Sequence, residues 1–275
     1  MQTSCPLCGA TAASVIRQVT CADQYLDLIG KSYSSTPREW LRCSNCGHIH
    51  NAVRLSAEET AKLYARFRDQ EWRNESPDEY FDRITSLPDA QSENVNKMRV
   101  IDEVTKIGQR SGGRILDVGC GGGVLIETMR RALVGEWNYF GVEPTSSFAE
   151  LASRRTSATV SNTNYSSGLF GDLKMDLITC CQVLEHLDSP RQLLSDVLLD
   201  LTAEGYFYLE VPDMADFLTL PEDHDRFMVQ HISYFSEPVL RGALEAVGFE
   251  TVNHGVTTTV RGRNNLWFVL QPKSM

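Results

Sequence analysis

The segment ILDVGCGGG, Ile115–Gly123, decides the fold of this chain. It is a short apolar run that ends in the acid Asp117 and continues through a glycine-rich turn into an apolar helix predicted over 124–133. Such a strand, turn and helix N-terminus allow backbone N–H groups to approach a ligand closely. The segment Tyr139–Glu143 predicts the next strand, and the acid at its end, Glu143, is placed to hold the two hydroxyl groups of a ribose.

The glycine turn is compatible with a dinucleotide or with S-adenosylmethionine as the cofactor. A dinucleotide-binding turn requires a third glycine where this chain has Val124, and Asp117 would repel the pyrophosphate. S-adenosylmethionine has no phosphate and carries an ammonium and a sulfonium group, so an acidic turn suits it. The sequence therefore favours S-adenosylmethionine.

The same segment resembles motif I of the class I S-adenosylmethionine-dependent methyltransferases, in which Glu143 matches the ribose-binding acid. The resemblance implies cofactor contacts from the glycine turn, from the end of the second strand and from the end of a later strand that carries motif IV. The predicted cofactor-binding residues are Asp117, Gly119, Cys120, Gly121, Glu143, Pro144, Cys181 and Gln182.

Composition limits the partners of the chain. The 275 residues are 42% hydrophobic and 23% charged, as in ordinary globular proteins, and the net charge is −10 without a basic cluster. This balance argues against a nucleic-acid substrate, because phosphate neutralisation supplies most of the affinity in such complexes. No apolar run approaches the ~18 residues needed to span a bilayer, and residues 1–10 lack a signal-peptide pattern. A cytoplasmic location without a membrane partner is expected.

Four of the eight cysteines form two Cys-x-x-Cys-Gly knuckles, Cys5–Gly9 and Cys43–Gly47. Each glycine lets the backbone turn so that amide groups can point at a thiolate, and two knuckles supply the four sulfurs of a closed tetrahedral zinc site. Because such a site has no open position, the zinc is expected to be structural, with Cys5, Cys8, Cys43 and Cys46 as ligands. Three residues lie near the knuckles in sequence: Cys21, His48 and His50. They either support the zinc ligands, replace one of them, or have no role at the zinc site.

Three parts are predicted along the chain. Residues 1–53 form a small zinc-ribbon-like module with strands at 13–19 and 39–41, 54–93 form a helical linker or lid, and 94–275 form the methyltransferase domain. The linker contains a helix that begins at Ser56. Its polar stretch 68–92, with the aromatic residues Trp72, Tyr80 and Phe81, is predicted to be mobile or lid-like.

Strands and helices alternate after residue 94, which predicts an α/β fold with a doubly wound parallel sheet. Predicted elements include a helix that Ser189 caps, a strand at 206–211, and a helix at 236–247 that ends at Gly248. The last two strands, 250–257 and 266–270, are close enough in sequence to pair antiparallel. This is the usual arrangement of the seven-stranded Rossmann-like sheet in the methyltransferases that the chain resembles.

A buried strand, Met175–Cys181, runs into a polar loop at the edge of the sheet where ligands bind. The segment resembles motif IV of the family, in which Leu-Glu-His is a frequent sequence. His186 is either a base for a hydroxyl or amine proton, since imidazole titrates near neutral pH, or a packed loop histidine. Glu185 is either catalytic or an acid that orients the loop.

The loop Asp225–Ser236 follows the fifth strand and supplies a second imidazole, His231, and the phenol of Tyr234. His231 is expected to be the base in preference to His186, because it lies on the acceptor side of the sheet edge. Tyr234 is expected to help position the substrate. The predicted catalytic residues are therefore His231, His186, Glu185 and Tyr234.

The whole chain resembles a branch of the methyltransferases that has an N-terminal zinc-binding module and includes the C-methyltransferases of nucleotide-linked sugars. The shared features are the knuckles, the helix within 55–64, motifs I and IV, and the string His231–Ser236. Two departures stand out. Those enzymes usually have Tyr-His-Glu before the string, whereas the corresponding three residues of this chain end with Gln230. Those enzymes also carry a further C-terminal domain. Because an amide cannot deprotonate a carbon acid, Gln230 favours methylation of an oxygen or nitrogen.

The sequence thus predicts a methyltransferase that acts on a small molecule such as a sugar, a glycan precursor or a secondary metabolite. Three alternatives remain open: C-methylation of a nucleotide-linked sugar, methylation of an RNA base, and a non-catalytic zinc-dependent binding protein. The predicted cofactors are S-adenosylmethionine and a structural zinc ion. The sequence does not define the acceptor or the oligomeric state.

Overall fold

The computed structural model describes residues 4–31, 38–67, 74–215 and 217–274. The N-terminal part contains strands β1 (Ala13–Val19), β2 (Arg38–Cys43) and β3 (Ile49–Asn51), with a short helix α1 (Gln24–Leu28) between β1 and β2. Helix α2 (Ala57–Phe67) follows the module. Both predicted module strands and the predicted helix start at Ser56 agree with these bounds. Trp72 lies outside the described residues.

The larger sheet has seven strands. Five are parallel: β4 (Gly112–Val118), β5 (Glu136–Val142), β6 (Thr159–Ser161), β7 (Met175–Cys181) and β8 (Leu201–Pro212). The short strand β9 (Ser233–Tyr234) belongs to the N-terminal sheet. Strands β10 (Phe249–Thr258) and β11 (Asn264–Pro272) form an antiparallel pair. The order in the sheet is β10-β11-β8-β7-β4-β5-β6. The predicted doubly wound α/β fold with an antiparallel last pair is confirmed.

Helices cover both faces of this sheet. Their bounds are α3 (Pro77–Thr85), α4 (Glu93–Thr105), α5 (Val124–Ala132), α6 (Ser146–Thr156), α7 (Pro190–Asp200) and α8 (Glu237–Val247). Alternate residues of each central strand point to opposite faces, so Ile115 packs with Met98 and Ile126, whereas its neighbour Leu116 lies in the core that includes Leu194 and Leu240. The parallel strands are apolar on both faces because both faces are covered.

Two local features concern the stretch before residue 92 and the start of helix α7. The polar stretch before residue 92 contains helix α3, which begins with a capping box: Ser76 Oγ accepts from Glu79 N at 3.2 Å and Glu79 Oε2 accepts from Ser76 N at 2.8 Å. Phe81 of this helix is buried and Asp78 pairs with Arg154 at 2.8 Å, so helix α3 is docked on the domain. Helix α7 begins at Pro190 as expected, but the side chain of Ser189 makes no capping bond.

The N-terminal sheet is completed by a strand from the larger domain. Its order is β1-β2-β3-β9, and β9 pairs antiparallel with β3 through Ile49 opposite Tyr234 and His50 opposite Ser233. The loop after β8 is therefore part of the N-terminal sheet. Within the described ranges, no helix is both long and apolar enough to cross a membrane.

Candidate active site

The glycine turn follows β4 at the carboxyl edge of the sheet. Gly119 and Gly121 have φ angles of +74° and +53°, in the left-handed region that favours glycine. A Cβ atom on Gly119 would lie 2.4 Å from Cγ2 of Val183, so no other residue fits there without displacing the loop after β7. The absence of a side chain at Gly119 thus lets the turn pack closely against the loop after β7.

Glu143 follows β5 and is fixed beside this turn. Its Oε2 accepts from the backbone N–H of Gly121, and its Oε1 accepts from that of Thr145, each at 2.9 Å. The residue is 4% exposed. Asn162 Nδ2 donates at 2.9 Å to the carbonyl oxygens of Glu143 and Pro144, which holds the end of the strand in place. The carboxylate is oriented before any ligand arrives.

Asp117 lies at the end of β4 and accepts a 2.7 Å hydrogen bond from Thr179 Oγ1. Burial raises the pKa of its carboxyl group to about 7. Cys181 ends the neighbouring strand β7, and burial raises the pKa of its thiol well above the ordinary value, so the thiol stays neutral. Gln182 follows with a left-handed backbone (φ +57°) and donates from Nε2 to Glu210 Oε1 at 3.3 Å.

Lys97 is a charged residue at this edge that sequence reasoning missed. It lies on α4, is 9% exposed, and places Nζ 3.2 Å from Oε1 of Glu210 at the end of β8. Burial opposes its charge, but the Glu210 carboxylate more than compensates and raises the pKa of Lys97. Tyr208 and Asn265 also donate to Glu210, at 3.1 Å each, and a cleft of about 150 Å³ opens beside this network. The available signal was a lysine on the otherwise apolar face of an amphipathic helix.

A larger cavity, of about 410 Å³, lies elsewhere, among residues such as Gly108, Met98 and Leu133. None of the predicted site residues lines it. Size alone therefore does not locate the chemistry in this chain, and the arrangement of polar groups at the carboxyl edge is the better guide.

The two predicted histidines come together in the loops that follow β7 and β8. His186 belongs to the short 3₁₀ turn Leu184–His186 after β7, and its ring centroid lies 4.9 Å from that of His231. Each Nδ1 contacts a backbone carbonyl oxygen: that of Gln230 at 2.7 Å for His186 and that of Arg226 at 3.2 Å for His231. A carbonyl oxygen only accepts, so both Nδ1 atoms carry the proton and both Nε2 atoms present a lone pair. Burial, reinforced by His186, holds the pKa of His231 well below its ordinary value.

Glu185 lies directly beside the pair. Its side chain is 1% exposed, and among the described residues neither of its carboxylate oxygens has a hydrogen-bond partner. Its Oε1 lies 3.8 Å from Nε2 of His186, and burial raises the pKa of the carboxyl group to about 8. The backbone carbonyl of Glu185 accepts from Ile232 N at 2.8 Å, which links the two loops.

Tyr234 is placed differently from the expectation. Its side chain is 1% exposed and packs against Trp40 and Phe217, with ring centroids 4.9 Å away in each case. Its hydroxyl donates to the carbonyl of Arg226 and lies 3.3 Å from His231 Nδ1. The expected contact with substrate is wrong, because β9 turns this ring into the core between the module and the loop. Tyr234 supports His231 instead.

The N-terminal module also contributes to this site. His50 and Asn51 of β3 are fully buried, and His50 Nε2 and Asn51 Nδ2 have no partner among the described residues. Asn51 N donates to the carbonyl of Ile232, next to His231. Tyr64 of α2 meets the ring of His186 edge-on, with centroids 6.1 Å apart. Sequence reasoning did not place His50 and Asn51 at this site, because only the pairing of β3 with β9 brings them to the loop.

The four predicted zinc ligands come together as expected. All four sulfur atoms lie within 4.8 Å of one another, with Cys5 Sγ to Cys46 Sγ at 3.7 Å and Cys8 Sγ to Cys43 Sγ at 3.6 Å. Four sulfurs at ~2.3 Å from a zinc ion are about 3.8 Å apart, so the cluster fits a tetrahedral ion. Gly9 and Gly47 have the left-handed backbone that the knuckles require, with φ of +76° and +74°.

The other residues near the knuckles bond elsewhere. His48 Nε2 lies 3.1 Å from Ser233 Oγ, His50 Nδ1 lies 3.3 Å from Nη2 of Arg54, and Cys21 Sγ donates to the carbonyl of Glu222 at 3.0 Å. Within the described part of the chain, they do not belong to the four-cysteine cluster.

A family profile described as a methyltransferase domain matches residues 93–254, which is more than half of the chain. The chain belongs to the methyltransferase domain family. The methyltransferase class predicted from the sequence is thereby confirmed at the level of the domain family.

Curated relatives of this methyltransferase match over part of their length. It is 30% identical over 115 residues to the mitochondrial ubiquinone biosynthesis O-methyltransferase of Saccharomyces cerevisiae, which covers 39% of this chain and 36% of that protein. It is 28% identical over 125 residues to the ubiquinone biosynthesis O-methyltransferase of Haemophilus ducreyi, which covers 42% of this chain and 52% of that protein. The chain thus spans about a third to a half of the length of these relatives.

Solved structures share the fold of this methyltransferase. The magnesium protoporphyrin IX methyltransferase of Synechocystis PCC 6803, solved with bound S-adenosylhomocysteine, has a TM-score of 0.57 at 16% identity and covers 80% of this chain and 100% of that chain. An S-adenosylmethionine-dependent methyltransferase from Clostridium acetobutylicum has a TM-score of 0.53 at 12% identity and covers 71% and 97%, respectively. At these identities the likeness shows the fold alone.

Proposed function

We propose that this methyltransferase methylates an oxygen atom of a small molecule. The observation that carries the proposal is the His186–His231 pair, in which both Nδ1 atoms are held by backbone carbonyls and both Nε2 atoms present lone pairs at the carboxyl edge of the sheet. A hydroxyl group brought there loses its proton to an imidazole that is already neutral.

The cofactor side is built from the glycine turn and the acids that follow β4 and β5. Glu143 receives the ribose hydroxyls, and the Gly119–Gly121 backbone faces the methionine and ribose portions. Asp117 supports the ammonium group of the cofactor. Lys97, which is held near Asp117, supplies the positive charge that the carboxylate of the cofactor requires. When bound, S-adenosylmethionine supplies a methyl group on positively charged sulfur, which an oxygen nucleophile accepts without further activation of the methyl group.

The acceptor side is built from both parts of the chain. His231 accepts the hydroxyl proton, His186 lies next to it, and Tyr234 fixes the ring of His231 from behind. Holding the acceptor oxygen about 3 Å from the methyl carbon provides most of the rate enhancement in such a transfer. His50 and Asn51 bring unpartnered buried polar atoms to the same region, where a polar acceptor satisfies them.

Three observations favour oxygen over the alternatives. Gln230, 7% exposed, stands where a carbon-methylating relative needs an acid, and an amide takes no proton. The curated relatives that match the chain are O-methyltransferases by name. The net charge of −10 disfavours an RNA acceptor. We also propose that the four-cysteine cluster holds a structural zinc ion.

The proposal is tested by incubating the full-length chain with S-adenosylmethionine and a panel of small hydroxylated acceptors, which includes phenols, catechols and nucleotide-linked sugars. We expect a product one methyl group heavier whose carbon NMR spectrum shows an O-methyl signal. The Glu143→Ala and His231→Ala variants should give little product. A C-methyl product, or methylation of RNA in place of every small acceptor, would contradict the proposal.

A further inference from the structure

The residues around the paired histidines have a second property that base catalysis does not use. Glu185, His186 and His231 each offer one ligand atom, and these three atoms lie within 4.8 Å of one another. They come from two separate loops, which are joined by the hydrogen bond from Ile232 N to the carbonyl of Glu185. The cluster is distinct in sequence and in ligand type from the four cysteines of the module.

Because the Nδ1 atoms of both imidazoles contact backbone carbonyls, Nε2 is the atom of each ring that a metal ion would bind. Backbone carbonyls of Gln230 and Arg226 occupy the Nδ1 side of His186 and His231, at 2.7 and 3.2 Å. An Nδ1–H donated to a carbonyl oxygen is the usual support of a histidine that binds a metal through Nε2, because it fixes both the tautomer and the ring orientation.

The carboxylate of Glu185 supplies the independent observation. The side chain is 1% exposed, and both oxygens lack a hydrogen-bond donor among the described residues. Arg226, whose positive charge acts on this carboxyl group, donates instead to the carbonyls of Asp213 and Asn264, at 2.6 and 2.9 Å. A buried carboxylate without donors is costly unless it is paired or coordinates a metal.

We propose that Glu185, His186 and His231 bind one divalent transition-metal ion through the carboxylate and the two Nε2 atoms. Two imidazoles and one carboxylate suit ions such as manganese, iron, cobalt or zinc, and three protein ligands leave coordination positions open. Bonds of about 2.0–2.2 Å require the three ligand atoms to close by a small rotation of the side chains.

The role of this ion rests on the proposed function and refines it. An acceptor hydroxyl that occupies an open position loses its proton to solvent more readily, because the ion stabilises the oxygen anion. That oxygen then forms the bond to the methyl carbon as the carbon–sulfur bond breaks and S-adenosylhomocysteine leaves. His231 then serves as a ligand, and the ion takes over the activation of the hydroxyl that the imidazole provides alone.

The test uses the full-length chain with its zinc in place, because manganese prefers oxygen and nitrogen ligands and does not compete well for four thiolates. Manganese and cobalt are titrated separately by calorimetry, and manganese binding is confirmed by loss of the free-ion electron paramagnetic resonance signal. We expect one equivalent to bind. The Glu185→Gln and His231→Ala variants should bind about 100-fold more weakly or not at all, since changes even in groups that only support ligands cost 10- to 100-fold.

The control variant is His254→Ala, which removes an exposed histidine on β10 and should leave ion binding unchanged. Thermal unfolding and S-adenosylhomocysteine binding show that each variant is folded. Failure of the native chain to bind either ion would overturn the proposal. Binding by Glu185→Gln and His231→Ala that is as tight as binding by the native chain would also overturn it. O-methylation at full rate by chelator-treated protein would overturn it while leaving the proposed function intact. Ion binding at this site without methylation of any hydroxyl would support it and would instead refute the proposed function.

Discussion

Replacing Glu143 with alanine should weaken the binding of S-adenosylmethionine. The carboxylate is the group that we assign to the two ribose hydroxyls, and it is held in place by backbone donors at Gly121 and Thr145, each at 2.9 Å. Hydrogen bonds to a charged group contribute roughly 1.5–3 kcal/mol each, and part of this is recovered by water in the variant. We therefore expect a loss of about 2–3 kcal/mol, which is about a 30- to 150-fold increase in Kd.

Calorimetric titration with S-adenosylmethionine and S-adenosylhomocysteine measures this loss. Glu136→Ala is the matched control, because Glu136 lies on the same strand but is exposed. Glu143→Gln is the sharper variant. Its amide nitrogen must face one of the two backbone N–H donors, so it should lose much of the affinity even though its size is unchanged. An unchanged Kd for folded Glu143→Ala would show that the ribose lies elsewhere and would refute the assignment of the turn.

Three further predictions follow from the same geometry. Protein purified without added zinc should hold about one tightly bound zinc ion per chain in the four-cysteine cluster, and Cys43→Ser should release it and lower the unfolding temperature of the module. Mass spectrometry and elemental analysis check this prediction, and a chain free of zinc would contradict it. His231→Ala should slow single-turnover methyl transfer about 100-fold or more with near-normal cofactor affinity, whereas His186→Ala should slow the transfer less and weaken cofactor binding. A native rate in His231→Ala would be inconsistent with the assignment of His231 as the base. Burial raises the pKa of the Asp117 carboxyl group to about 7, so its neutral form stabilises the folded protein fully below the ordinary pKa of an aspartic acid. This contribution to stability is lost as the pH rises through 7, where the ionised carboxylate instead favours a cationic ligand. Cofactor affinity should thus be about tenfold weaker at pH 6 than at pH 8, and Asp117→Asn should flatten the profile.

The sheet and the cofactor turn were predictable because their signals are local. A glycine-rich turn between an apolar strand and an apolar helix fixes the backbone over a few residues, and the left-handed angles of Gly119 and Gly121 are a direct consequence. The knuckles are equally local, since Gly9 and Gly47 set the turn that brings each pair of sulfurs together. The helix α3 was also encoded locally, in a Ser-Pro-Asp-Glu capping box, but the polar composition around it concealed the signal.

The rest of the site depends on contacts between distant parts of the chain. Lys97 meets Glu210 across 113 positions of sequence, and nothing in either segment indicates the pairing. Tyr234 was misplaced for the same reason. Its sequence neighbours place it near the catalytic loop, but the pairing of β9 with β3 decides which way the ring points, and that pairing joins residues more than 180 positions apart.

The N-terminal module is best understood as a structural part of the active site. Asp23 Oδ2 accepts from Val229 N at 2.7 Å, Arg38 Nε donates to the carbonyl of Phe227 at 3.3 Å, and β3 pairs with β9 on the other side of His231. The loop that carries His231 is therefore held at both ends by the module. Because β2 ends at Cys43, a proposed zinc ligand, and β3 begins just after the second knuckle, we expect loss of zinc to loosen the strands that hold this loop. In this proposal, a zinc ion that touches no substrate controls the position of His231, the residue that we assign as the base.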